Sequence, residues 1–365
     1  MKNPMLLKTL VSGFFLLTFL SLSAQPVWHD ASGFPVFGKV TEATSARYER
    51  LPAALENTTR QPVWRLGRDA AGVTVRFRSN STAIHVRWTS TFTHAMNHMA
   101  PTGDRGVDLY ALTEDGWRYA GTGRPTIGKP ETESRLVANM EPVMREYMLH
   151  LSLYDGVSDL AIGVDPGAVL EGPAVDSPAA ARPVVMYGTS ILQGGCASRP
   201  GMAHTNILAR KLDRQVINLG FSGNALLDEE IARLMASMED PGVFVLDEVP
   251  NSGAATIREK GERFFRILRE AHPDVPVVFV EMPPYPYARF DRKQAAEIAE
   301  RNAAQRELYG KLRKEGQKRL YYVPGDRLIG ADGEATVDGV HFTDLGMLRY
   351  ADVLAPVLRK ALRKR

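Results

Sequence analysis

Cysteine is nearly missing from this chain: Cys196 is the only one in 365 residues. No intrachain disulfide can form, and without a second thiol Cys196 reads as a small buried hydrophobe and not as a redox centre. Long apolar runs are missing as well, with one exception. Leu10 to Leu22 follows Lys2 and Lys8 and passes into Ser21-Leu22-Ser23-Ala24. That run is short of the roughly 20 residues that a membrane-spanning helix needs. A basic start, an apolar stretch and a small-residue site together read as a secretory signal, residues 1–24, cut near Ala24. The expected protein is therefore exported, periplasmic or extracellular, with no membrane span after cleavage. A basic cluster is the third absence. Loss of Lys2 and Lys8 lowers the formal net charge from +3 to +1, which leaves no footprint for nucleic acid as a partner. Arg359, Lys360, Arg363, Lys364 and Arg365 read as the solvated last turns of a helix, where cations suit the dipole. There is no internal repeat and no low-complexity tract. The apolar fraction of 44% and charged fraction of 24% are those of an ordinary globular protein.

What is present changes character halfway along. Up to about Asp165 the apolar pattern has period two. Val73, Val75 and Phe77 alternate with polar neighbours, and Ile84, Val86 and Trp88 do so again beyond the Asn80-Ser81 turn. Val107 to Leu112, Trp117 to Tyr119, Tyr147 to Leu153 and Leu160 to Val164 are further candidate strands. Short alternating strands with Gly, Asn, Asp and Pro punctuation predict an antiparallel β-sandwich over 25–175, with no long amphipathic helix. The stretch from Asp165 to Pro183, rich in Pro, Gly and Ala, reads as a linker over the surface. Beyond it, apolar runs at Val184–Tyr187, Val216–Leu219, Val243–Leu246, Val277–Val280 and Leu320–Val323 are separated by helical patterns. Those patterns cover Thr205–Leu212, Glu229–Met238, Ile257–Ala271, Gln294–Glu315 and Leu345–Leu362. This alternation predicts a parallel sheet with helices on both faces, a flavodoxin-like three-layer α/β/α domain over 176–365.

In such a sheet, ligands bind beyond the carboxyl ends of the strands. Four stretches stand there: Gly188-Thr189-Ser190, then Asn218 to Asn224, Asp247 to Asn251, and Asp338 to Thr343. Acyl transfer would draw on all four. The Ser190 hydroxyl is a poor nucleophile until a base takes its proton. His341 can be that base and can pass the proton to the leaving alcohol. Asp338, three residues upstream, can hold the tautomer and orientation of the imidazole. The tetrahedral oxyanion needs converging donors, available from the Ser190 N–H, the Gly223 N–H and the Asn251 side-chain amide. Gly223 suits a place where backbone approaches substrate closely. Each piece also has a plainer reading. Thr189 or Ser190 can cap a helix, Asn251 can cap the next one, Asp338-Gly339 is a good turn, and His341 can be a satisfied histidine. All of these falling behind the correct strands by chance is the weaker explanation.

These blocks resemble the SGNH (GDSL-like) hydrolase superfamily. Ser190 matches its first block, in Gly-Thr-Ser-Ile where Gly-Asp-Ser-Leu is commoner. Gly223 in Phe-Ser-Gly-Asn matches the second, Asn251 in Val-Pro-Asn-Ser the third, and Asp338 with His341 the closing Asp-X-X-His. The whole mature chain resembles a secreted bacterial subgroup with an N-terminal β-sandwich carrying a Gly-X-Asp-Leu-Tyr motif, present as Gly106-Val107-Asp108-Leu109-Tyr110. The Gly-X-Ser-X-Gly elbow of α/β-hydrolases is absent, because Ile-Leu-Gln-Gly follows Ser190.

Four further groups stand out. His94 and His98, in a His- and Met-rich loop, are spaced as a metal pair, but no third ligand is evident in the sequence and lining the substrate cleft is the favoured role. Tyr285 and Tyr287 could form an aromatic substrate wall. Asp247 and Glu248 read as hydrogen-bonding or solvated groups, and Asp108 and Tyr110 as structural. No cofactor or metal is implied. The expected function is an exported serine esterase that removes small acyl groups, acetyl foremost, from a carbohydrate or another hydroxylated compound. A lipase or lysophospholipase is the first alternative, although no long apolar lid-like segment is present. The other is a glycan-binding protein whose hydrolase half is ancillary.

Overall fold

The computed structural model describes residues 25–363, so the expected signal at 1–24 and the final Lys364 and Arg365 lie outside the described residues. The N-terminal half carries ten strands: β1 (Val27–Asp30), β2 (Val36–Phe37), β3 (Thr74–Ser79), β4 (Ile84–Ser90), β5 (Val107–Thr113), β6 (Gly116–Gly123), β7 (Glu131–Val137), β8 (Arg145–His150), β9 (Val157–Val164) and β10 (Leu170–Glu171). They form two antiparallel sheets. One has the order β1-β9-β4-β7; the other runs β10-β3-β8-β5-β6, with β2 added to β3. In β4 the alternation is that of a half-buried strand. Ile84, Val86 and Trp88 face the inter-sheet core, and His85, Arg87 and Thr89 face outward.

β3 behaves differently. Thr74 and Arg76, the polar neighbours in its alternating pattern, are buried as well, because the second sheet is covered on both faces. One face packs into the sandwich core of Val75, Phe77, Val86, Trp88 and Leu149. The other turns toward the C-terminal half. Two short helices, α1 (Gln61–Gly67) and α2 (Pro101–Asp104), complete the first half. They are too short to show a helical period in the sequence, and each begins with a proline in its first turn. α1 sends Val63 and Trp64 into the core of the second half, together with Leu51, Met99, Leu153 and Tyr154.

The C-terminal half is a five-stranded parallel sheet of β11 (Ala179–Gly188), β12 (Arg214–Gly220), β13 (Val243–Asp247), β14 (Val277–Val280) and β15 (Leu320–Val323). Its helices are α3 (Ser190–Gln193), α4 (His204–Leu212), α5 (Glu229–Ala236), α6 (Ala254–Ala271), α7 (Arg292–Lys314) and α8 (Asp344–Leu362). The strand order is β12-β11-β13-β14-β15, the doubly wound flavodoxin-like arrangement, with its switch point at β11. The central strands β13 and β14 are buried along their whole length and apolar up to the terminal Asp247 of β13, as burial under helices on both faces requires. The Pro- and Ala-rich stretch after Asp165 is more ordered than a plain surface linker. β10 pairs with β3, and β11 already begins at Ala179, because the chain there finds unpaired strand edges to bond. No described helix is long and apolar enough to cross a membrane.

Candidate active site

Strand register brings the first three blocks together. Gly188 at the end of β11 lies level with Gly220 on β12 and with Asp247 on β13, so the three following loops leave the sheet side by side. Close contact is built in: a Cβ on Gly220 would stand 2.3 Å from the Gln193 backbone nitrogen in α3.

α3 starts at Ser190, and its cap is Thr189, whose hydroxyl accepts from the Ile191 N–H at 3.2 Å. Capping and the free hydroxyl are thus divided between neighbours. Ser190 Oγ stands 2.9 Å from His341 Nε2, and His341 Nδ1 stands 2.7 Å from Asp338 Oδ2. The remaining oxygen, Asp338 Oδ1, accepts the backbone N–H groups of Val340 and His341. Partial burial raises the affinity of this carboxyl for a proton, but the hydrogen bonds from the His341 ring and from the two N–H groups outweigh it, holding the value at about 2. Asp338 is therefore an anion at neutral pH. It fixes the proton on His341 Nδ1 and leaves the Nε2 lone pair facing the serine hydroxyl.

On the other side of Ser190 stand the candidate oxyanion donors. Gly223 has φ +68°, a left-handed backbone that glycine adopts without strain. A Cβ there would meet nothing within 4 Å, so this conformation, and not crowding, accounts for the glycine. The N–H groups of Ser190 and Gly223 have no hydrogen-bond partner among the described residues. Asn251 does not cap α6, whose cap is Gly253. Its Oδ1 accepts from the Ala225 N–H at 3.3 Å, which leaves the amide NH2 available. A cavity of about 280 Å³ opens beside these groups, lined by Ser190, Asn251, Tyr285, Tyr287, Glu297 and Arg301. Both tyrosines expected as a wall are in it. A larger hollow of about 890 Å³ lies on the outer face of the sandwich among Trp28, Arg87 and Glu133, and has no serine–histidine pair.

The two loop histidines part company. His94 lies against Arg65 and stacks on Phe92, 5.7 Å between ring centroids, and does not line the cavity. His98 reaches the triad, with its ring 5.3 Å from that of His341. Asp247 and Glu248 are buried and not solvated. Burial pushes both carboxyls up, Glu248 to about 7, while Asp247 takes a 2.7 Å bond from the Tyr350 hydroxyl.

Several supporting residues escaped the sequence reading. Gln193, fully buried, donates to Asp69 Oδ2 and to the Leu153 carbonyl, and accepts the Ser222 N–H. The Tyr154 hydroxyl donates to the Ser190 carbonyl at 3.0 Å. Arg50, also buried, donates to the carbonyls of Leu66, Asp69, Asn218 and Gly220. Asp69, Tyr154 and Arg50 come from the first half, so the loops after β11 and β12 are held from across the interface. Asp108 is structural in the same sense, accepting from Arg199 and from the Gly201 N–H of the second half. Only spatial contact identifies Gln193, Asp69, Tyr154 and Arg50, which no local spacing marks, whereas Asp108 already stood out in its motif.

Comparison with known proteins gives a consistent result. Residues 181–359 match the model of the GDSL-like Lipase/Acylhydrolase family, and residues 26–170 match the model for the N-terminus of SGNH-hydrolase-type esterases. The crystal structure of a GDSL-like lipase from Bacteroides ovatus ATCC 8483 is similar at 33% identity and a TM-score of 0.87, covering 92% of this chain and 98% of that one. A salicylyl-acyltransferase from a tetracycline biosynthetic pathway shares the fold at 18% identity and a TM-score of 0.73, covering 93% and 99%. An acetyl xylan esterase from the rumen bacterium Butyrivibrio proteoclasticus does so at 11% identity and 0.55, covering 93% and 98%. No curated protein matches the sequence significantly.

Proposed function

The chain belongs to the GDSL-like lipase/acylhydrolase family and is an ester-cleaving hydrolase, and from that premise we propose that it is an exported serine esterase releasing small acyl groups, acetyl foremost, from a carbohydrate. The observation that carries the mechanism is the unbroken chain of hydrogen bonds from Ser190 Oγ through His341 to Asp338. In the proposed reaction Ser190 Oγ attacks the ester carbonyl while His341 Nε2 takes its proton. The Ser190 and Gly223 N–H groups and the Asn251 amide receive the oxyanion, each worth roughly 3–4 kcal/mol of barrier. His341 returns the proton to the departing sugar hydroxyl, and water then repeats the sequence to free the acid.

The cavity beside Ser190 supports a sugar as the alcohol. It combines two aromatic rings with Gln294, Glu297 and Arg301, a mix of flat apolar and hydrogen-bonding groups that suits a pyranose better than a lipid chain. The similarity in fold to an acetyl xylan esterase supports the same reading by analogy. Within this proposal residues 1–24 are a cleaved signal, 25–175 form the sandwich domain and 176–365 the hydrolase domain. The test is acetate release from a panel of acetylated polysaccharides, beside p-nitrophenyl acetate and a long-chain ester. Ser190→Ala should lower turnover by about four to six orders of magnitude. Unchanged turnover in Ser190→Ala would sink the mechanism, and equal turnover of short and long acyl chains would sink the deacetylase assignment.

A further inference from the structure

The ligands that the sequence could not supply for His98 are present in space, though His94 is not one of them. One ligand atom each of His98, Cys196 and His341 lie within 4.8 Å of one another, at the edge of the proposed active site. Three separate segments deliver them: the loop after β4, the turn after α3, and the loop before α8. Cys196 is held in this position by a left-handed backbone, φ +70°, and is buried against the hydrolase core. Both imidazoles are oriented by an oxygen on Nδ1. Asn97 Oδ1 is 2.9 Å from that of His98, and Asp338 Oδ2 is 2.7 Å from that of His341. With the Nδ1 protons donated there, both Nε2 atoms carry lone pairs. A ligating histidine whose other nitrogen bonds a carboxylate or amide oxygen is the usual support for zinc.

The geometry points to an inhibitory site for a thiophilic divalent cation, of the Zn²⁺ class, held by His98, Cys196 and His341. It rests on the serine esterase reading, since the ion acts by occupying His341. Zn²⁺ would accept the two Nε2 lone pairs and the Cys196 sulfur, whose proton leaves to solvent, and water would take the fourth position. Tetrahedral zinc with bonds of about 2.0–2.3 Å sets ligand atoms roughly 3.5 Å apart. With all three ligand atoms already within 4.8 Å of one another, the most widely separated pair must close by about 1 Å. Once ligated, His341 can no longer accept the Ser190 proton, and turnover stops.

Cobalt titration of Ser190→Ala tests binding without activity, because that variant keeps all three ligands. The expected result is saturation at one Co²⁺ per chain with a near-ultraviolet sulfur-to-cobalt band, absent when Cys196→Ser is added. No sulfur band overturns the proposal. In the unaltered protein Zn²⁺ should abolish p-nitrophenyl acetate turnover and EDTA should restore it. In case Cys196→Ser fails to fold, His98→Ala supplies the second variant. It should raise the Zn²⁺ needed for half-inhibition about tenfold or more, each protein measured against its own metal-free rate. Equal sensitivity in His98→Ala overturns the site. Failure of the esterase reading looks different: no metal-free turnover, with the cobalt band intact.

Discussion

The polar groups that the two halves bring to their common boundary are finished to different degrees. In the α/β half the N–H groups of Ser190 and Gly223 and the amide of Asn251 keep donors unused, and Ser190 and Asn251 line a cavity. In the sandwich half, Arg50 spends its guanidinium on four carbonyls, and Asp108 accepts from both a guanidinium and a backbone N–H. Reacting groups need open valence, since they stabilise charge that exists only in the transition state. Supporting groups need closed valence, because a buried donor without a partner costs about 1–3 kcal/mol. The sandwich half thus acts on the chemistry by fixing the loops that carry it.

That contrast can be broken by mutation on either side. The largest effect belongs to the reacting half. Asp338→Asn should lower kcat about 10⁴-fold with little loss of stability, the size associated with a wrong imidazole tautomer in such triads. Steady-state kinetics beside urea unfolding reads both quantities, and a loss of fold without loss of intrinsic rate would reverse the assignment. Arg50→Met should do the opposite. It strands several buried carbonyls, so urea unfolding should show destabilisation of about 3 kcal/mol or more. A stable variant would remove Arg50 as the tie between halves.

A smaller effect concerns pH. Burial raises Asp69 from 3.8 to about 7 and Glu248 from 4.5 to about 7, against partial relief from Arg50 at Asp69. Both groups bind protons more tightly folded than unfolded. Their burial is therefore free of penalty below about pH 4 and increasingly costly as pH rises toward 7. Stability should fall between about pH 4 and 7 and level off above, and Asp69→Asn with Glu248→Gln should flatten that fall. A slope unchanged in the double variant would remove both from the account. Smallest of all, Tyr154→Phe removes one bond to the Ser190 carbonyl, and kcat should drop about fivefold, the equivalent of roughly 1 kcal/mol. No change would mean that the loop after β11 holds itself.

Legibility followed the range of the interactions. The parallel strands were readable because each carries a short, mainly apolar run, and Ser190, His341 and Asp338 stood out as a candidate set because chemistry restricts the residue types that can do acid–base and nucleophilic work. β10 and α1 were not, since two and seven residues cannot display a period. The burial of Thr74 and Arg76 was hidden for another reason: polarity predicts exposure only when a strand has one wet face, and β3 has none.

Sequence alone determined the change from period two to alternating strand and helix, the order of the longer elements in the second half, and the residue types that stand after each parallel strand. These depend on local propensity and on chemistry, which a short window already contains. The tertiary structure decided which loops meet. Parallel register aligns Gly188 with Gly220 and Asp247, His94 and His98 go to different neighbours, and Cys196 joins two histidines distant in the chain. It also decided that the carbonyls of β12 are tied from the first half by Arg50. Such pairings are set by packing free energy summed over the whole core, and no local stretch of the chain carries that sum.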